Sequence, residues 1–477
     1  MNIESFNKFS EARKVFWNNS WAKYIRKPFL GGYYQNYLKR IFTFYVGNSK
    51  PKILELGCGH GDLLVTLGGE GSVGVEFSDT ALASARDKYS EQGFIFIESD
   101  VLKLELDETF DIIILSDLIN DVYDIQTLFK KMRFWCKPGT RIIINSYSRL
   151  WQPALSLARR FGLVRKCLKQ NWMTVDDIRN LLFLENYDVI STSAEIIFPV
   201  NIPVLSEILN RFVAKLFPFR FFALTNFVVA RPFFQLNQEQ SVSVVVAARN
   251  EEGNIKNIFD WIPNLGSSTE LIFVEGGSSD DTYGAIEREI AVRPECNAKL
   301  FKQSGKGKGN AVRKGFLEAS GDILMILDAD LTVPPEDLPK FYKAIASGRG
   351  EFINGVRLVY PMEHEAMRFM NFLGNKFFSY AFSWLLGQPI KDTLCGTTVM
   401  WRKDYTNLAF NRSYFGELDP FGDFDLIFGA AKMNLKIIDL PIRYQERIYG
   451  DTNISRWSHG WLLIRMVFFA LRKIKFL

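Results

Sequence analysis

Five uncharged apolar residues at 323–327 run straight into Asp328 and, one residue later, Asp330. The run has no polar alternation, which predicts a strand buried on both faces, as in the sheet of an α/β domain. Side chains leaving such a strand at its carboxyl end emerge where open α/β sheets bind ligands. Two carboxylates at that point suit a hard divalent cation held through oxygen. A cation there suits a diphosphate ligand, because it offsets charge on the departing group. The bland alternative is a capped turn after a buried strand, so the surrounding motifs decide.

The chain has 477 residues, which predicts two or three domains. It is 47% hydrophobic and 23% charged, enough for sizeable cores and unlike a disordered chain. A net charge of +5 fits anionic ligands or an anionic membrane surface and is too weak to argue for nucleic acid. Five scattered cysteines show no metal-binding spacing, and the first twenty residues hold no apolar secretory core. No uncharged run reaches the roughly 18–20 residues of a spanning helix. The expectation is a cytoplasmic protein, with peripheral membrane contact as an option.

Residues 1–50 read as aromatic and basic helices that pack on the domain after them, with coverage of an active site as the alternative. A buried strand at 53–56 then meets the loop Gly57-Cys58-Gly59-His60-Gly61 and a helix start at Asp62. Glycines there permit positive φ and close approach of a ligand. A second strand ends in Glu76, about 20 residues past the first loop glycine, where an acid can hold ribose hydroxyls. Strands at 94–97 and 110–115 lead to Asp100-Val101 and to Ser116-Asp117. The third glycine of a dinucleotide fingerprint is replaced by Asp62, a poor neighbour for a pyrophosphate at a helix start. With Glu55 adding negative charge, this argues for cationic S-adenosylmethionine over NAD.

The segments ELGCGHG, VEFSD, ESDV and FDIIILSDLIND, in this order and spacing, resemble the class I S-adenosylmethionine-dependent methyltransferases over residues 50–150. The resemblance implies cofactor contacts at Glu55, Gly57, Gly59, Gly61, Glu76, Asp100 and Val101, with Asp117 beside them. Strands at 141–145 and 188–195 would complete the sheet. A methylated hydroxyl usually needs a base. Asp117, Asp121, Tyr123 and His60 are the candidates, each with an ordinary loop role as the alternative. Residues 203–232 are apolar with Arg211, Lys215, Arg220 and Arg231, which fits an amphipathic interface segment or domain packing. Residues 231–240 read as the linker.

The second half restarts an α/β pattern. A strand at 243–248 ends in Arg249-Asn250-Glu251-Glu252, and another at 270–274 ends in Glu275-Gly276. Gly305-Lys306-Gly307-Lys308-Gly309 precedes a helix, an arrangement that suits a phosphate without being a P-loop. Together with Asp328 and Asp330, these motifs resemble glycosyltransferase family 2 over residues 241–340. That implies a nucleoside site at Arg249, Asn250, Glu251 and Glu275. It also implies base or phosphate neighbours at Lys306 and Lys308, and a metal site at Asp328 and Asp330. The single acid at Glu275 departs from the family's frequent pair. The later residues more loosely resemble the polyprenyl-phosphate sugar synthases of that family. The segments concerned are Arg357, an Arg368/Asn371/Asn375 stripe on a helix over 365–387, Asp392 with Leu394-Cys395-Gly396-Thr397, Asp423 and Asp425, and Arg443 and Arg447 before Tyr449-Gly450-Asp451-Thr452.

A phosphate acceptor needs arginines, such as Arg357 and Arg447, whereas a sugar hydroxyl needs a base from Asp423, Asp425 or Asp392. The tail from Arg456 has no acid and mixes tryptophan, phenylalanine and basic residues, which fits an interfacial helix or docking on its own domain. The expected architecture is α/β. A Rossmann-like methyltransferase domain over 1–235 precedes a nucleotide-diphospho-sugar (GT-A) domain over 241–477. The expected function is methyl transfer from S-adenosylmethionine and metal-dependent, inverting glycosyl transfer from a nucleotide-sugar to a glycan or lipid-phosphate acceptor, in cell-surface glycan synthesis. The rival reading fuses a glycosyltransferase to a non-catalytic cofactor-binding scaffold.

Overall fold

The computed structural model describes residues 3–22, 31–89, 91–161, 167–236, 238–360, 369–412, 422–447, 449 and 456–476. The chain divides into two compact units, Met1–Phe233 with Phe476–Leu477, and Phe234–Lys475.

Unit 1 is built on a seven-stranded sheet of order β3-β2-β1-β4-β5-β7-β6. The strands are β1 (Ile53–Leu56), β2 (Val73–Glu76), β3 (Ile95–Glu98), β4 (Phe110–Ser116), β5 (Cys136–Tyr147), β6 (Tyr187–Glu195) and β7 (Thr225–Pro232). The first five are parallel, while β7 runs antiparallel to both β5 and β6. The chain leaves β1 toward β2 on one side, and β4 pairs on the other, so a crevice opens at the carboxyl ends of β1 and β4.

β7 is where the sequence reading and the structure part. The sheet was expected to close with the strand near 188–195, but β7 inserts between that strand and β5. Its run Phe227–Ala230 is buried on both faces, so its apolar character serves the sheet rather than an interface. Arg231 and Pro232, read as linker, are its last residues.

Unit 2 has the sheet order β10-β9-β8-β11-β13-β12-β14. Its strands are β8 (Val242–Ala248), β9 (Thr269–Glu275), β10 (Ala298–Lys302), β11 (Ile323–Asp328), β12 (Phe352–Val356), β13 (Thr398–Trp401) and β14 (Ile437–Pro441). Ile323 to Leu327 are fully buried, as the apolar run predicts. Parallel pairing sets Asp328 beside Ala247, and Glu275 beside Ala248, at one edge. β13 pairs antiparallel with β11 and β12 and carries the 394–397 segment to the same edge.

The tail helix Arg456–Ala470 buries Leu463, Met466 and Ala470 and packs on the helix Phe369–Leu386 of its own unit. Its other face leaves Trp461, Ile464 and Phe468 exposed. The described part of the expected helix is Phe369–Leu386: Arg368 lies outside the described residues, as does the Asn371 side chain, and Asn375 is buried. Among the described residues, no helix is long and apolar enough to cross a membrane.

The helix Lys308–Glu318 lies directly on β8 through Gly315. A Cβ at that position would stand 2.3 Å from Val245 Cγ1. Gly315→Ala should therefore lower stability by about 1–3 kcal/mol through overpacking. Adding Val245→Ala should recover part of that loss, and an unchanged melting temperature for the single variant would refute this packing account.

Candidate cofactor and donor sites

In unit 1 the loop after β1 holds Gly57, Gly59 and Gly61 at φ of 75°, 53° and 75°. These are left-handed conformations that a side chain disfavours. Glu76 at the end of β2 folds onto the loop. Its Oε2 accepts from the Gly59 amide at 3.1 Å, and its Oε1 accepts from the Phe77 and Ser78 amides, each at 3.0 Å. Burial pushes the Glu76 carboxyl up, and these amides pull it back.

Glu55 lies 2% exposed on β1 and is held by the Leu64 amide, while its Oε2 has no hydrogen-bond partner. Burial pushes its carboxyl up to about 8, helped by the negative charges of Glu76 and Asp62. A buried carboxyl with an unfilled oxygen beside a glycine loop fits a cationic amine, such as the amino group of S-adenosylmethionine. Asp62, on which the choice of cofactor leaned, instead faces outward and binds Lys88 Nζ and Tyr89 Oη, each at 2.5 Å. The acid left beside the loop is therefore Glu55, whose carboxyl burial keeps largely protonated near neutrality until a cation pairs with it.

The helix α1 (Ile3–Ala22) lies across this edge of the sheet, beyond the plain packing expected of it. Ser10 Oγ donates to Asp100 Oδ2 at 2.5 Å, Lys14 Nζ pairs with Glu98 at 2.8 Å, and Ser78 Oγ donates to Asn18 at 2.6 Å. Trp21 meets the His60 ring edge-on with centroids 4.6 Å apart. The helix thus touches the ends of β1, β2 and β3, and covers the positions assigned to cofactor. Val101, next to Asp100, is buried. The sequence signal for this role was the unusual aromatic content of the segment, which carries no spacing that identifies a cover.

Asp117 follows β4 in the left-handed region, φ 52°. Tyr34 Oη donates to its Oδ1 at 3.0 Å, and Asn145 Nδ2 donates to the same oxygen at 2.6 Å. Burial pushes the Asp117 carboxyl up to about 6, opposed by the hydrogen bonds of Tyr34, Asn145 and Tyr147. A carboxyl poised near neutrality among hydroxyls can take a proton. Asp121 lies 3.7 Å from the buried Arg13 of α1, and Tyr123 packs on Phe6 and Phe9, so these two candidates for the base have structural partners.

In unit 2 the turn at 249–252 and the loop after Glu275 are laced together. The Asn250 amide donates to Ser278 Oγ at 3.0 Å, the Ser279 amide to Asn250 Oδ1 at 2.8 Å, and the Ser278 amide to Glu275 Oε1 at 2.5 Å. Glu251 is buried and accepts from Asn254 at 2.7 Å, and burial pushes its carboxyl up to about 7. Arg249 is exposed above this floor. Gly276 stands where a second acid was looked for. A Cβ there would come within 2.9 Å of Oε1 at the movable end of the Gln303 side chain, while the backbone stays 3.6 Å away. Tyr449 packs its ring on Gly253, a neighbour that no motif announced.

Asp328 Oδ1 pairs with Lys308 Nζ at 2.5 Å, and Asp330 Oδ2 with Arg447 Nη2 at 2.6 Å. Thr332 Oγ1 fixes the other oxygen of Asp330 at 2.8 Å. Gly396 faces this group, and a Cβ on it would stand 2.0 Å from Asp328 Oδ2 and 2.1 Å from Lys308 Nζ. The Leu394–Thr397 motif therefore clears space over the aspartates. Two carboxylates form a hard donor pair that suits Mg²⁺ or Mn²⁺. Among the described residues no group of three or more His, Cys, Asp or Glu could hold a metal, so ligand oxygens would complete its shell. Lys306 is exposed in the loop before Lys308. Beyond Asp330, a cleft of about 310 Å³ is lined by Pro334, Asp337, Lys340, Tyr360, Arg443 and Gln445.

The proposed bases of unit 2 fare differently. Asp392 is fully buried and takes Arg357 Nε at 2.7 Å and Nη2 at 2.9 Å. Burial opposes its charge, and the Arg357 guanidinium more than offsets that, holding the carboxyl below its usual range. Asp392 is thus a structural anion rather than a base, and Arg357 is committed to it rather than to an acceptor. Asp425 is buried and accepts from Arg412 Nε at 2.7 Å. Asp423 begins the same helix, Asp423–Lys432, but its side chain lies outside the described residues, as do residues 450–455 and the Arg456 side chain. A Cβ on Gly422 would stand 2.5 Å from Gly309 Cα, so this helix start abuts the glycine–lysine loop.

Because the Glu55 carboxyl is raised above its ordinary 4.5, the ligand-free fold loses stability as pH rises from about 4.5 toward about 8. A cation that pairs with ionised Glu55 should bind more tightly over the same rise. Binding of S-adenosylmethionine near pH 7 should release a proton, detectable by calorimetry in buffers of different ionisation enthalpy. Glu55→Gln should abolish that release and weaken binding about tenfold or more. Equal proton release by both proteins would refute the assignment.

Residues 48–177 match the family described as "Methyltransferase domain", and residues 243–416 match "Glycosyl transferase family 2". Over 225 residues the chain is 27% identical to "Glycosyltransferase AglJ" of Haloferax volcanii, covering 47% of this chain and 69% of that protein. Over 109 residues it is 37% identical to a "Dolichol-phosphate mannosyltransferase" of Pyrococcus furiosus, covering 22% of this chain and 30% of that protein. An S-adenosylmethionine dependent methyltransferase from Mesorhizobium loti aligns at 21% identity and a TM-score of 0.33, over 42% of this chain and 99% of that one. The chain thus carries, within unit 1, a region that matches a methyltransferase domain and, within unit 2, a region that matches glycosyl transferase family 2, each on an α/β sheet.

Proposed function

We propose that unit 2 transfers a sugar from a nucleotide diphosphate-sugar to a lipid-borne phosphate, with inversion and with metal assistance. Unit 1 transfers a methyl group from S-adenosylmethionine in the same glycan or glycolipid pathway. The observation that carries the reading is the pair Asp328–Lys308 facing Gly396, with the pair Asp330–Arg447 beside the laced turn at 249–252. Arg249, Asn250, Glu251 and Glu275 would hold the nucleoside. A divalent cation held by Asp328 and Asp330 would offset the charge of the leaving diphosphate. Lys308 and Arg447 pair with those carboxylates, and both would turn to phosphate oxygens once the ligand arrives.

The acceptor oxygen attacks the anomeric carbon from the face opposite the diphosphate. The new C–O bond forms as the old one breaks, and the nucleoside diphosphate leaves with the electron pair. A phosphate acceptor arrives ionised and has no proton to surrender. Two of the three candidate bases, Asp392 and Asp425, are held by arginines. That favours a phosphate over a sugar hydroxyl. The dolichol-phosphate relative has a name of the same chemistry. The outward Trp461, Ile464 and Phe468 of the tail would rest on the membrane carrying such an acceptor.

For methyl transfer, Glu55, Glu76, Asp100 and the glycine loop would hold S-adenosylmethionine beneath α1, and Asp117 would take the acceptor's proton. Transfer to a hydroxyl acceptor should then climb with pH through about 6, the value to which Asp117 is raised. Asp117→Asn should remove that rise and slow transfer about 10²–10⁴-fold. A variant that kept the same profile would exclude Asp117 as the base.

Purified protein with Mn²⁺ should hydrolyse one member of a nucleotide-sugar panel slowly, and Asp330→Ala should lose that turnover about 10²-fold or more. Binding of no donor across the panel would overturn the reading of unit 2.

A further inference from the structure

One surface segment of unit 1 is built inside out. In residues 196–222 Ser206, Asn210 and Lys215 are buried, while many of the large apolar side chains are exposed. The helix Leu205–Arg211 buries Ser206 and Asn210, 1% and 0% exposed. Both serve the local backbone. Ser206 Oγ donates to Val200 O and accepts from the Ile202 amide, while Asn210 Oδ1 accepts from the Ile197 and Phe198 amides, each at 2.9 Å. Lys215 forms a buried ion pair with Glu195. The apolar residues face the opposite way: Val204, Phe217, Phe219, Phe221 and Phe222 are between 48% and 74% exposed.

A water-facing segment normally buries its aromatics and exposes its polar groups. The inverted arrangement fits an apolar medium outside. Its charge specifies which medium. Residues 196–222 contain one acid, Glu207, which is engaged by Arg40 at 2.8 Å and Arg211 at 3.6 Å. The Arg220 guanidinium lies 5.2 Å from the Phe221 ring. Trp151 Nε1 donates to Phe222 O at 2.9 Å, which places the helix Gln152–Arg160 alongside. Residues 149–161 contain three arginines and no acid, and leave Leu150, Leu157 and Phe161 more than half exposed. Aromatics rimmed by guanidinium groups match the boundary between acyl chains and anionic headgroups. Of these arginines Arg149, Arg160 and Arg220 are exposed, and anionic headgroups would supply their counter-charge.

We propose that residues 202–222 and the adjoining helix Gln152–Arg160 are a docking surface for an anionic lipid bilayer, carried by the methyltransferase unit itself. It goes beyond the proposed transfer reactions, and it stands whether or not the acceptor of unit 2 is a lipid phosphate.

The test is flotation of the full chain with vesicles of phosphatidylglycerol and phosphatidylcholine, and with phosphatidylcholine alone. The unaltered protein should float with the anionic vesicles and lose affinity as salt rises. The double variant Phe217→Ser/Phe221→Ser should bind about tenfold or more weakly, and Arg220→Glu should lose most of the preference for anionic lipid. Slow nucleotide-sugar hydrolysis without lipid should be unchanged in these variants. That hydrolysis separately tests the reading of unit 2. Hydrogen exchange on the unaltered chain guards against a variant that misfolds, with protection by vesicles expected at 202–222 and 150–161. The proposal is overturned if the double variant floats like the unaltered protein, or if vesicles leave those segments unprotected. It is equally overturned if the variants change only the mass seen by light scattering, which would make this face a contact between copies of the chain.

Discussion

Carboxylates at the ends of buried strands are the constraint on which both units depend. A parallel strand delivers its last side chain into a crevice of low dielectric, where an unpaired negative charge is costly. Each carboxylate at these edges is therefore managed. Glu76 takes three backbone amides, Asp328 takes Lys308, and Asp330 takes Arg447 and Thr332. Glu55 is the exception, with an unfilled buried oxygen and a carboxyl near 8. The managed groups shape the sites, and the unmanaged one marks where a cation is wanted.

The two units solve the same problem with different hardware. In unit 1 the edge is closed from above by α1, whose serine, lysine and asparagine reach the strand ends. In unit 2 it is closed from the side by the segment around Gly396 and by Tyr449, with Gly396 facing the Asp328 and Lys308 side chains and Gly253 facing the Tyr449 ring. The buried Arg357–Asp392 pair fixes the loop that carries Gly396. The Leu394 amide donates to Asp392 Oδ1 at 3.1 Å, while Arg357 holds the same carboxylate from the end of β12. This pair positions the donor site without taking part in chemistry. Removing one partner would leave a buried charge, a change worth about 3–5 kcal/mol.

Surface composition divides along similar lines. The tail helix of unit 2 uses one apolar face for its own core and keeps a second face outside. The 196–222 segment of unit 1 turns Ser206 and Asn210 inward to serve the backbone and leaves aromatic side chains and Arg220 to meet the surroundings. Hydrogen bonding decides what is inside that segment, whereas the tail helix buries its apolar side chains.

Much of the chemistry was legible in the residues. A short apolar run ending in or beside an acid predicts a strand and the edge it reaches, so β1, β2, β4, β9 and β11 and the acids at their ends could be placed by local pattern, and β8 by its apolar run. The glycine loops came from the same logic, because backbone conformation is a local property. β7 was not legible. Its apolar run is ambiguous by composition, and only pairing with β5 and β6 makes it a central strand. The role of α1, the retirement of Asp392 as a base and the space cleared by Gly396 were likewise decided by tertiary structure, since each depends on residues far apart in the chain. The sequence by itself determined which groups can bear charge and where strands end. The tertiary structure decided which of those charges are neutralised, because the partner that neutralises a buried carboxylate is chosen by distance in space.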